Sequence, residues 1–422
     1  MKQTDDLTLK FNELNTHDLA AVLGLTIKKD EENKIVTFLC QLSAYTDNSQ
    51  FNVSYNAPSS TGKSYIPTEI ARLFPPEDVM ELAYCSPTAF FHDNGKYDKT
   101  TNTNTINLSR KIIIFLDQPH TELLARMRPL LSHDKKEIVL KITDKNDKNG
   151  MRTKNILMIG YPSVIFCTAG MRIDEQESTR FILLSPEIDQ EKIRQGISAT
   201  IKRESDNALY DAWLAENAER KLLKERIIAI KKQGIEEIKI SAYQSIEDRF
   251  FTKSKILKPR HQRDIKRLIS IIKSIALLNL WWRERNGNII FANDSDITQA
   301  FDLWEKISVS QELNLPPYVY HLYKEVVLTA WYEKNMKRFG QIIGRGDTLG
   351  LTRQEILQKH FNVYGRMMDG YQLRQQILPM LEMTGLIIQE QDQQDKRKVL
   401  IYPTTQMMDF LKNSVGAAGE GK

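Results

Sequence analysis

The chain has 422 residues, of which 41% are hydrophobic and 27% charged, and this length predicts two or three domains rather than a single core. Its 59 Lys and Arg residues nearly balance 54 Asp and Glu residues, which excludes a uniformly basic nucleic-acid-coating protein and restricts any such surface to a local patch. Three widely spaced cysteines exclude a CxxC metal knuckle and a disulfide scaffold, and no apolar run approaches the roughly 18 residues of a membrane helix. The sequence therefore predicts a cytoplasmic protein with no membrane partner.

The first 186 residues contain the pattern of an α/β domain. Residues 1–45 form an N-terminal segment, and residues 46–186 alternate short apolar runs with helical stretches, as expected for a parallel sheet covered by helices. Five runs predict strands: FNVSYNA, VMELAYCS, KIIIFLD, PSVIFCTA and RFILLSP. Between residues 135 and 160, apolar and polar residues alternate on both sides of the turn-rich segment DKNDKNG, which predicts a β-hairpin inserted before the fourth strand.

The rest of the chain is predicted to be mainly helical. Residues 187–340 have apolar residues at three- and four-residue spacing, which predicts an all-helical lid followed by connecting helices. Residues 341–422 have the pattern of helix, helix and hairpin, with Thr352 and Glu355 at the spacing of a capping box before the first helix. This order predicts a C-terminal winged helix-turn-helix, followed by a disordered tail, GAAGEGK.

A phosphate-binding loop is the strongest motif in the sequence. The segment APSSTGKS fits its pattern, except that Ala57 stands where the first glycine is usual. The chemistry needs backbone N–H groups that cradle phosphate at a helix N-terminus, a lysine for the terminal phosphates and a hydroxyl for Mg²⁺. Lys63 and Ser64 supply the last two, and we predict an ATP and Mg²⁺ site. The predicted nucleotide-binding residues are Pro58, Ser59, Ser60, Thr61, Gly62, Lys63 and Ser64.

An ATP site also needs an acidic residue at the end of a neighbouring strand to hold the metal. Asp117 follows the third predicted strand and is the second predicted Mg²⁺ residue beside Ser64. The next residue is Gln118, whose amide can orient a water molecule but cannot accept its proton. Two alternatives remain open: either hydrolysis is slow, or Asp117 itself activates the water.

These motifs follow one another in an order that resembles AAA+ ATPases. Phosphate loop, acidic strand, hairpin, helical lid and winged helix occur in that order between residues 45 and 402. In particular, the arrangement resembles the hairpin-bearing clade that includes minichromosome-maintenance helicases and the helicase or primase-helicase proteins of phages and mobile elements. The resemblance implies a homo-oligomer in the form of a hexameric ring, which acts on single-stranded DNA together with a primase or another replication partner.

The resemblance also implies roles for single residues. Thr168, at the end of the fourth predicted strand, matches the polar residue that senses the terminal phosphate. Arg180, or alternatively Arg172, matches the arginine finger that reaches into the ATP site of a neighbouring subunit, where its fixed charge stabilises phosphoryl transfer. Arg263, or alternatively Arg260, matches the lid arginine that senses nucleotide. Both lie in a strongly basic stretch, so a basic face turned towards solvent or phosphate is the competing interpretation.

The hairpin is the first candidate for DNA contact. In the helicases that the chain resembles, such hairpins project into the central channel of the ring, where lysines track phosphates without reading sequence. Residues 135–154 carry seven Lys or Arg against three acids, and the predicted DNA-binding residues are Lys145, Lys148, Arg152 and Lys154. Residues 341–422 carry ten Lys or Arg against nine acids, so DNA and protein remain alternative partners of the winged helix.

Two functions from different classes follow from these predictions. The first is an ATP-dependent DNA-translocating ATPase, a replicative-type helicase of a mobile or phage-like element. The alternative is an ATP-switched DNA-binding loader or regulator without helicase activity, which Gln118 favours. A small-molecule kinase would explain the phosphate loop but not the hairpin, the long lid or the winged helix.

Overall fold

The chain divides into two compact units. The computed structural model describes residues 10–86, 95–98, 100–144, 152–170, 179–253, 256–335, 349–392 and 394–404. The first unit comprises residues 1–170, 174–187 and 191–309, and the second comprises residues 171–173, 188–190 and 310–422. The division predicted from the sequence, with bounds after residues 45, 186 and 340, stays a prediction.

A parallel sheet lies at the centre of the first unit, and its five strands are the five predicted from the sequence. Numbered along the chain, they are β1 (Val53–Asn56), β2 (Val79–Leu82), β5 (Ile112–Phe115), β8 (Ser163–Thr168) and β9 (Ile182–Leu184). Their order across the sheet is β2–β5–β8–β1–β9, and all neighbours are parallel. Strands β5, β8 and β9 are buried throughout, which explains why their sequences are runs of apolar residues.

Four helices belong to the same part of the first unit: α1 (Thr16–Leu23), α2 (Glu31–Ser43), α3 (Tyr65–Ala71) and α4 (Thr121–Leu131). The segment TELLARMRPLL is predicted to be a helix from its sequence, and α4 has the same bounds, whereas α3 is shorter than the helix predicted for GKSYIPTEIARLF. A 3₁₀ turn at Pro76–Asp78 precedes β2. Helix α2 is buried along most of its length and shares one apolar core with β1, β5 and β8. Helices α1 and α2, which precede the sheet in the chain, are therefore part of the core that supports it.

The predicted hairpin is present, and it belongs to a second sheet that the sequence did not indicate. Strands β6 (Glu137–Asp144) and β7 (Arg152–Ile159) pair antiparallel over eight residues each. With β3 (Lys96–Asp98) and β4 (Thr103–Asn107) they form a four-stranded sheet in the order β3–β4–β7–β6. The strand β4 has the polar sequence TNTIN, which explains why the apolar pattern did not predict it.

The region between residues 190 and 312 is mostly helical, but the prediction that it is all-helical was wrong. Its helices are α5 (Gln190–Ser205), α6 (Asn207–Glu216), α7 (Ala218–Gln233), α8 (Tyr243–Lys253), α9 (His261–Leu278) and α10 (Asp294–Glu312), with a 3₁₀ turn at Leu280–Trp282. Strands β10 (Glu237–Ile240), β11 (Arg285–Asn286) and β12 (Ile289–Ala292) form a small sheet in the order β10–β12–β11. Strands of two to four residues are too short for periodicity to separate them from helix.

The second unit contains the predicted helices and hairpin. Its elements are α11 (Pro317–Leu322), a π-helical segment (Tyr323–Leu328), α12 (Thr329–Asn335), α13 (Arg353–Tyr364), α14 (Gly370–Gln372), a π-helical segment (Leu373–Ile377), α15 (Leu378–Met383), β13 (Ile387–Gln391) and β14 (Val399–Pro403). Thr352 and Glu355 form the predicted capping box at the start of α13. Strands β13 and β14 pair antiparallel, as a hairpin requires.

Two further features concern the described helices and the cysteines. Within the described ranges, no helix combines the length and apolar character needed to cross a lipid bilayer. Cys40, Cys85 and Cys167 are all buried and unbridged.

Candidate nucleotide-binding site

The predicted phosphate loop connects the carboxyl end of β1 to the first turn of α3. Ser60 and Gly62 have positive φ angles of 66° and 90°, so the chain needs a glycine at the second of these positions, where it has one. Ala57 does not have a positive φ, and its N–H donates to the carbonyl of Thr168 at 3.3 Å. The unusual alanine is therefore compatible with this loop conformation.

The loop leaves room for an anion at the start of α3. A Cβ built on Gly62 would meet no atom within 4 Å, so the space on that side of the loop is open. The amide of Ile66 donates to the carbonyl of Gly62 at 3.2 Å, which begins the helical hydrogen-bond ladder at Gly62. The N–H groups of the first turn have no acceptor within a helix, and the helix dipole is positive at this end. Lys63 and Ser64 are half-buried at the same turn.

Asp117 and Gln118 lie just beyond the carboxyl end of β5, and both are exposed. The Gln118 N–H donates to Oδ1 of Asp117 at 2.8 Å, which holds the two residues in one tight bend. Strand β8 separates β5 from β1, so the acidic bend and the phosphate loop meet at the same edge of the sheet with one strand between them. Ligands of open α/β sheets bind at the carboxyl ends of the strands.

Thr168 fills the position between the acidic bend and the phosphate loop, at the carboxyl end of β8. Its Oγ1 donates to Oε1 of Gln118 at 3.1 Å and accepts from the N–H of Gly170 at 3.0 Å. The hydroxyl thus holds the amide of Gln118 in one orientation. The sequence predicted both residues at the site but did not indicate that they bond to each other, because 50 residues separate them.

Cys167 lies directly beneath the loop, and the sequence did not single it out. Its Sγ donates to the carbonyl of Lys63 at 3.4 Å. Burial raises the pKa of Cys167 to about 12, the charge of Lys63 acts in the opposite direction, and the charge of Asp117 adds to the rise. The thiol therefore stays protonated and packs under the loop rather than acting as a nucleophile. Its surroundings indicate that Lys63 and Asp117 are both close to the end of β8.

A buried polar network supports the loop from the other side. The Ser185 hydroxyl, just after β9, donates to the carbonyl of Asn56 at 2.6 Å, immediately before the loop. The Asn33 amide donates to the carbonyl of Ser185 and to Oδ1 of Asp30, both at 2.8 Å, and Asp30 forms an ion pair with Lys192. Sequence reasoning missed these residues because they come from distant parts of the chain. Their only local signal is that they are polar residues beside apolar runs.

Arg180 and Arg263 lie at the opposite edge of the sheet. Arg180 precedes β9, and its Nε donates to Oγ of Ser132, the residue that follows α4, at 2.8 Å. Arg263, on α9, donates to Oγ1 of Thr179, the residue before Arg180. The two predicted arginines therefore lie close to each other but away from the phosphate loop of their own chain. Arg172 lies outside the described residues.

The alternative lid residue, Arg260, is held in an ion cluster at the start of α9. Its Nε lies 3.1 Å from Oδ2 of Asp264, whose Oδ1 lies 2.6 Å from an Nη atom of Arg267. Arg267 also donates to the carbonyl of Thr179. Burial lowers the pKa of Arg267 to about 10, although Asp264 acts in the opposite direction. One carboxylate thus faces two guanidinium groups, so the cluster has a net positive charge.

The predicted DNA-binding residues are only partly described. Arg152 and Lys154 are part of β7, within the four-stranded sheet. Lys145 and Lys148, at the predicted tip of the hairpin, lie outside the described residues.

Comparisons with known proteins do not identify a relative. The sequence matches no model of a known protein family and no curated protein. The fold and the site define an α/β protein with a five-stranded, all-parallel sheet whose architecture is compatible with a phosphate-loop core.

Proposed function

We propose that the chain is an ATPase that binds ATP and Mg²⁺ at the carboxyl edge of its parallel sheet and uses hydrolysis to move along DNA. The observation that carries this proposal is the convergence of the phosphate loop, Asp117 with Gln118, and Thr168 on the ends of three adjacent strands. An anion-binding turn, an acid and an oriented amide at one edge are the groups that phosphoryl transfer to water requires. In this proposal the protein is an oligomeric, replicative-type helicase of a mobile or phage-like element.

Each group has a chemical role in this proposal. The first-turn amides of α3 and the ammonium of Lys63 bind the phosphates and stabilise the charge that develops on them. Gln118 orients the attacking water through its side-chain amide, and Thr168 prevents that amide from rotating. Since an amide does not accept the proton, hydrolysis is slow unless Asp117, the preceding residue, receives it.

The residues at this edge also suit Mg²⁺. Among the described residues there is no group of three or more His, Cys, Asp or Glu side chains that could hold a metal ion by themselves. Mg²⁺ does not need such a cage, because it is commonly bound by one or two protein oxygens together with substrate phosphates and water. Ser64 and Asp117 would supply those oxygens, and the bound ion would neutralise charge on the phosphates.

The positions of the arginines favour action between subunits. The four residues of β1 extend for about 13 Å between the amino edge of the sheet, where Arg180 lies, and the carboxyl edge, where the phosphate loop begins. Arg180 is therefore poorly placed to act on the phosphate loop of its own chain. In a ring or an open chain of subunits, the amino edge of one sheet can face the carboxyl edge of the next. Arg180 and Arg263 would then approach a neighbour's phosphates together.

Helix α5 provides a surface for such self-association. Ile193, Ile197 and Ile201 are exposed and are spaced four residues apart, so they form one apolar stripe. No residue of α5 is buried within this chain. An exposed apolar stripe of this kind is typical of an interaction surface.

A mixing experiment tests the proposal. Arg180→Ala should keep ATP binding but lose about a thousandfold in turnover, as expected when an arginine finger is removed. Lys63→Ala should lose productive ATP binding, because the main side-chain charge at the loop is gone. A mixture of the two variants should recover measurable hydrolysis, because some interfaces then combine an intact loop with an intact arginine. Parental turnover by Arg180→Ala under assembling conditions, or unchanged ATP affinity of Lys63→Ala, would contradict the proposal.

The alternative function is a DNA-bound loader or regulator that ATP switches without unwinding. The presence of Gln118 in place of an acid favours it, since slow hydrolysis suits a switch. ATP turnover and strand displacement should be measured on the same preparation with and without single-stranded DNA. DNA-stimulated turnover with displacement supports the helicase, whereas ATP-dependent DNA binding without displacement supports the loader.

A further inference from the structure

A large open groove lies in the first unit, away from the phosphate loop. Its volume is about 1020 Å³, and it lies between β10, α8 and α9. The residues of α9 that line it include His261, Ile265, Ile269 and Lys273. Residues at four-residue intervals share one face of a helix, so these side chains form a single stripe along α9.

The opposite wall and the floor of the groove are also apolar. Helix α8 contributes Ile246 and Phe250, and β10 contributes Ile238 and Ile240. The ring of Phe250 meets that of His261 edge-on, with centroids 5.8 Å apart. From His261 to Lys273 the stripe on α9 extends for about 18 Å, the length of more than three helical turns. An elongated apolar trough between two helices has the shape that accepts a third helix.

The rim of the groove exposes apolar side chains that contribute little to the core. Tyr243, Phe251 and Leu257 line the groove and are between 50% and 63% exposed, and all lie within 15 residues of one another in sequence. Single exposed apolar residues are common, but a contiguous group beside a groove marks an interaction surface.

The surroundings of the groove are positively charged. Among the described side chains of residues 249–273, seven are Lys or Arg and one is an acid, and that acid, Asp264, is already engaged by two arginines. The groove itself is lined by three lysines, Lys239, Lys258 and Lys273, against two carboxylates, Glu237 and Glu247, and Glu237 lies 3.5 Å from Lys239. Burial lowers the pKa of Lys273, although the charge of Glu237 acts in the opposite direction, and a further carboxylate placed beside Lys273 would stabilise its charged form.

We propose that this groove binds an acidic amphipathic helix of a partner protein. The apolar face of that helix would lie over Ile265, Ile269 and Phe250, and its acidic residues would meet Lys258 and Lys273 at the two ends of the groove. A nucleic acid would match the charge but not the isoleucine-lined floor. The proposal does not depend on ATP chemistry, because none of these residues belongs to the nucleotide site.

Peptide binding to the full-length chain tests the proposal. The probe is a fluorescent helical peptide of about 15 residues, the length of the groove plus one turn, with Leu along one face and Glu on the rest. The matched probe has Lys in place of every Glu. Fluorescence anisotropy should show binding of the acidic peptide, at least about tenfold tighter than that of the basic one, and weakening with added salt.

Two variants test whether the acidic peptide binds in the groove. Phe251→Glu should abolish binding of the acidic peptide, whereas the control Phe361→Glu, at a similarly exposed phenylalanine of α13, should leave it unchanged. Lys273→Met keeps the apolar stem and removes the charge, so it should weaken binding several-fold and reduce its salt dependence.

Four outcomes would overturn the proposal. The first three are that the acidic peptide does not bind, that both peptides bind equally, and that Phe251→Glu binds the acidic peptide as the parent does. The fourth is that the chain binds phosphatidylserine vesicles or dodecanoate but does not bind the acidic peptide. The last outcome would identify the groove as a lipid site.

Discussion

The hydrogen bond between Thr168 and Gln118 leads to the most specific prediction about the site. Replacing Thr168 with valine keeps the shape of the side chain and removes its hydroxyl. Gln118 then loses the donor that orients its amide, and the Gly170 N–H loses its acceptor. The phosphate loop itself keeps its contact with residue 168, because Ala57 donates to the backbone carbonyl of that residue.

The expected magnitudes follow from these contacts. Leaving one partly buried N–H without an acceptor costs about 1–3 kcal/mol of unfolding free energy, and the half-buried position of Gly170 places the cost near the lower end. The effect on turnover is larger, because an amide that rotates freely orients water poorly. We expect turnover to fall by about a hundredfold, comparable to the loss of one preorganised catalytic hydrogen bond. ATP affinity should change little, since Lys63 and the loop amides are untouched.

The assay compares steady-state ATP hydrolysis with equilibrium binding of a fluorescent ATP analogue. Thr46→Val is the matched control, because Thr46 is a buried threonine of the same unit that precedes β1, and its hydroxyl likewise accepts from a backbone N–H, that of Ser49 at 3.2 Å, while it donates to the carbonyl of Ser43 at 2.7 Å. Both variants should lose a similar unfolding free energy, and only Thr168→Val should lose turnover. Parental turnover by Thr168→Val, or an equal loss in both variants, would refute the assigned role of the hydroxyl.

Three further predictions concern DNA binding, pH dependence and stability. Lys145→Ala combined with Lys148→Ala should reduce the salt slope of single-stranded DNA binding by about 1.4, since each lost phosphate contact removes about 0.7, and an unchanged slope would show that these lysines do not contact DNA. Burial lowers the pKa of His133 from 6.5 to about 4. As pH falls from 6.5 to about 4, the unfolded chain binds a proton at this residue before the folded chain does, so the unfolding free energy should fall by up to roughly 3 kcal/mol. His133→Phe should remove this decline in urea unfolding, and a decline of the same size in the variant would assign it to other groups. Asp296→Ala should lower the unfolding free energy by about 3 kcal/mol, because Arg283 bonds to both carboxylate oxygens and would remain buried without them, and a loss below about 1 kcal/mol would contradict this.

Most local elements of the first unit could be predicted from sequence. The five sheet strands, the hairpin and α4 depend on runs or alternation of apolar residues over fewer than 12 positions, and such patterns are visible without knowledge of the fold. The capping box at Thr352 is also local, because its partners lie three residues apart. The polar strand β4 lacks such a pattern, while the alternation in β10 and the apolar run in β12 extend over only four residues each, and these strands were missed.

The site itself could be predicted only in part. The loop, Asp117 and Gln118 were predicted because each follows a predicted strand and carries a side chain suited to phosphate or metal chemistry, and Thr168 was predicted from the resemblance to AAA+ ATPases. All of them lie at the carboxyl ends of β1, β5 and β8, and their roles stay predictions. The supporting residues Asn33 and Ser185 were not identified, since nothing in their neighbourhoods distinguishes them from other polar residues beside apolar runs.

The sequence by itself determined which segments become strands and helices and which of them end in reactive side chains, because these properties depend on near neighbours. The tertiary structure decided which strand ends lie next to each other in the sheet. Placing β8 between β1 and β5 brings Thr168 into contact with Gln118, and the parallel direction of β9 puts Arg180 at the edge opposite to Lys63. Strand order and direction result from packing between residues that are far apart in the chain, so no local pattern contains them.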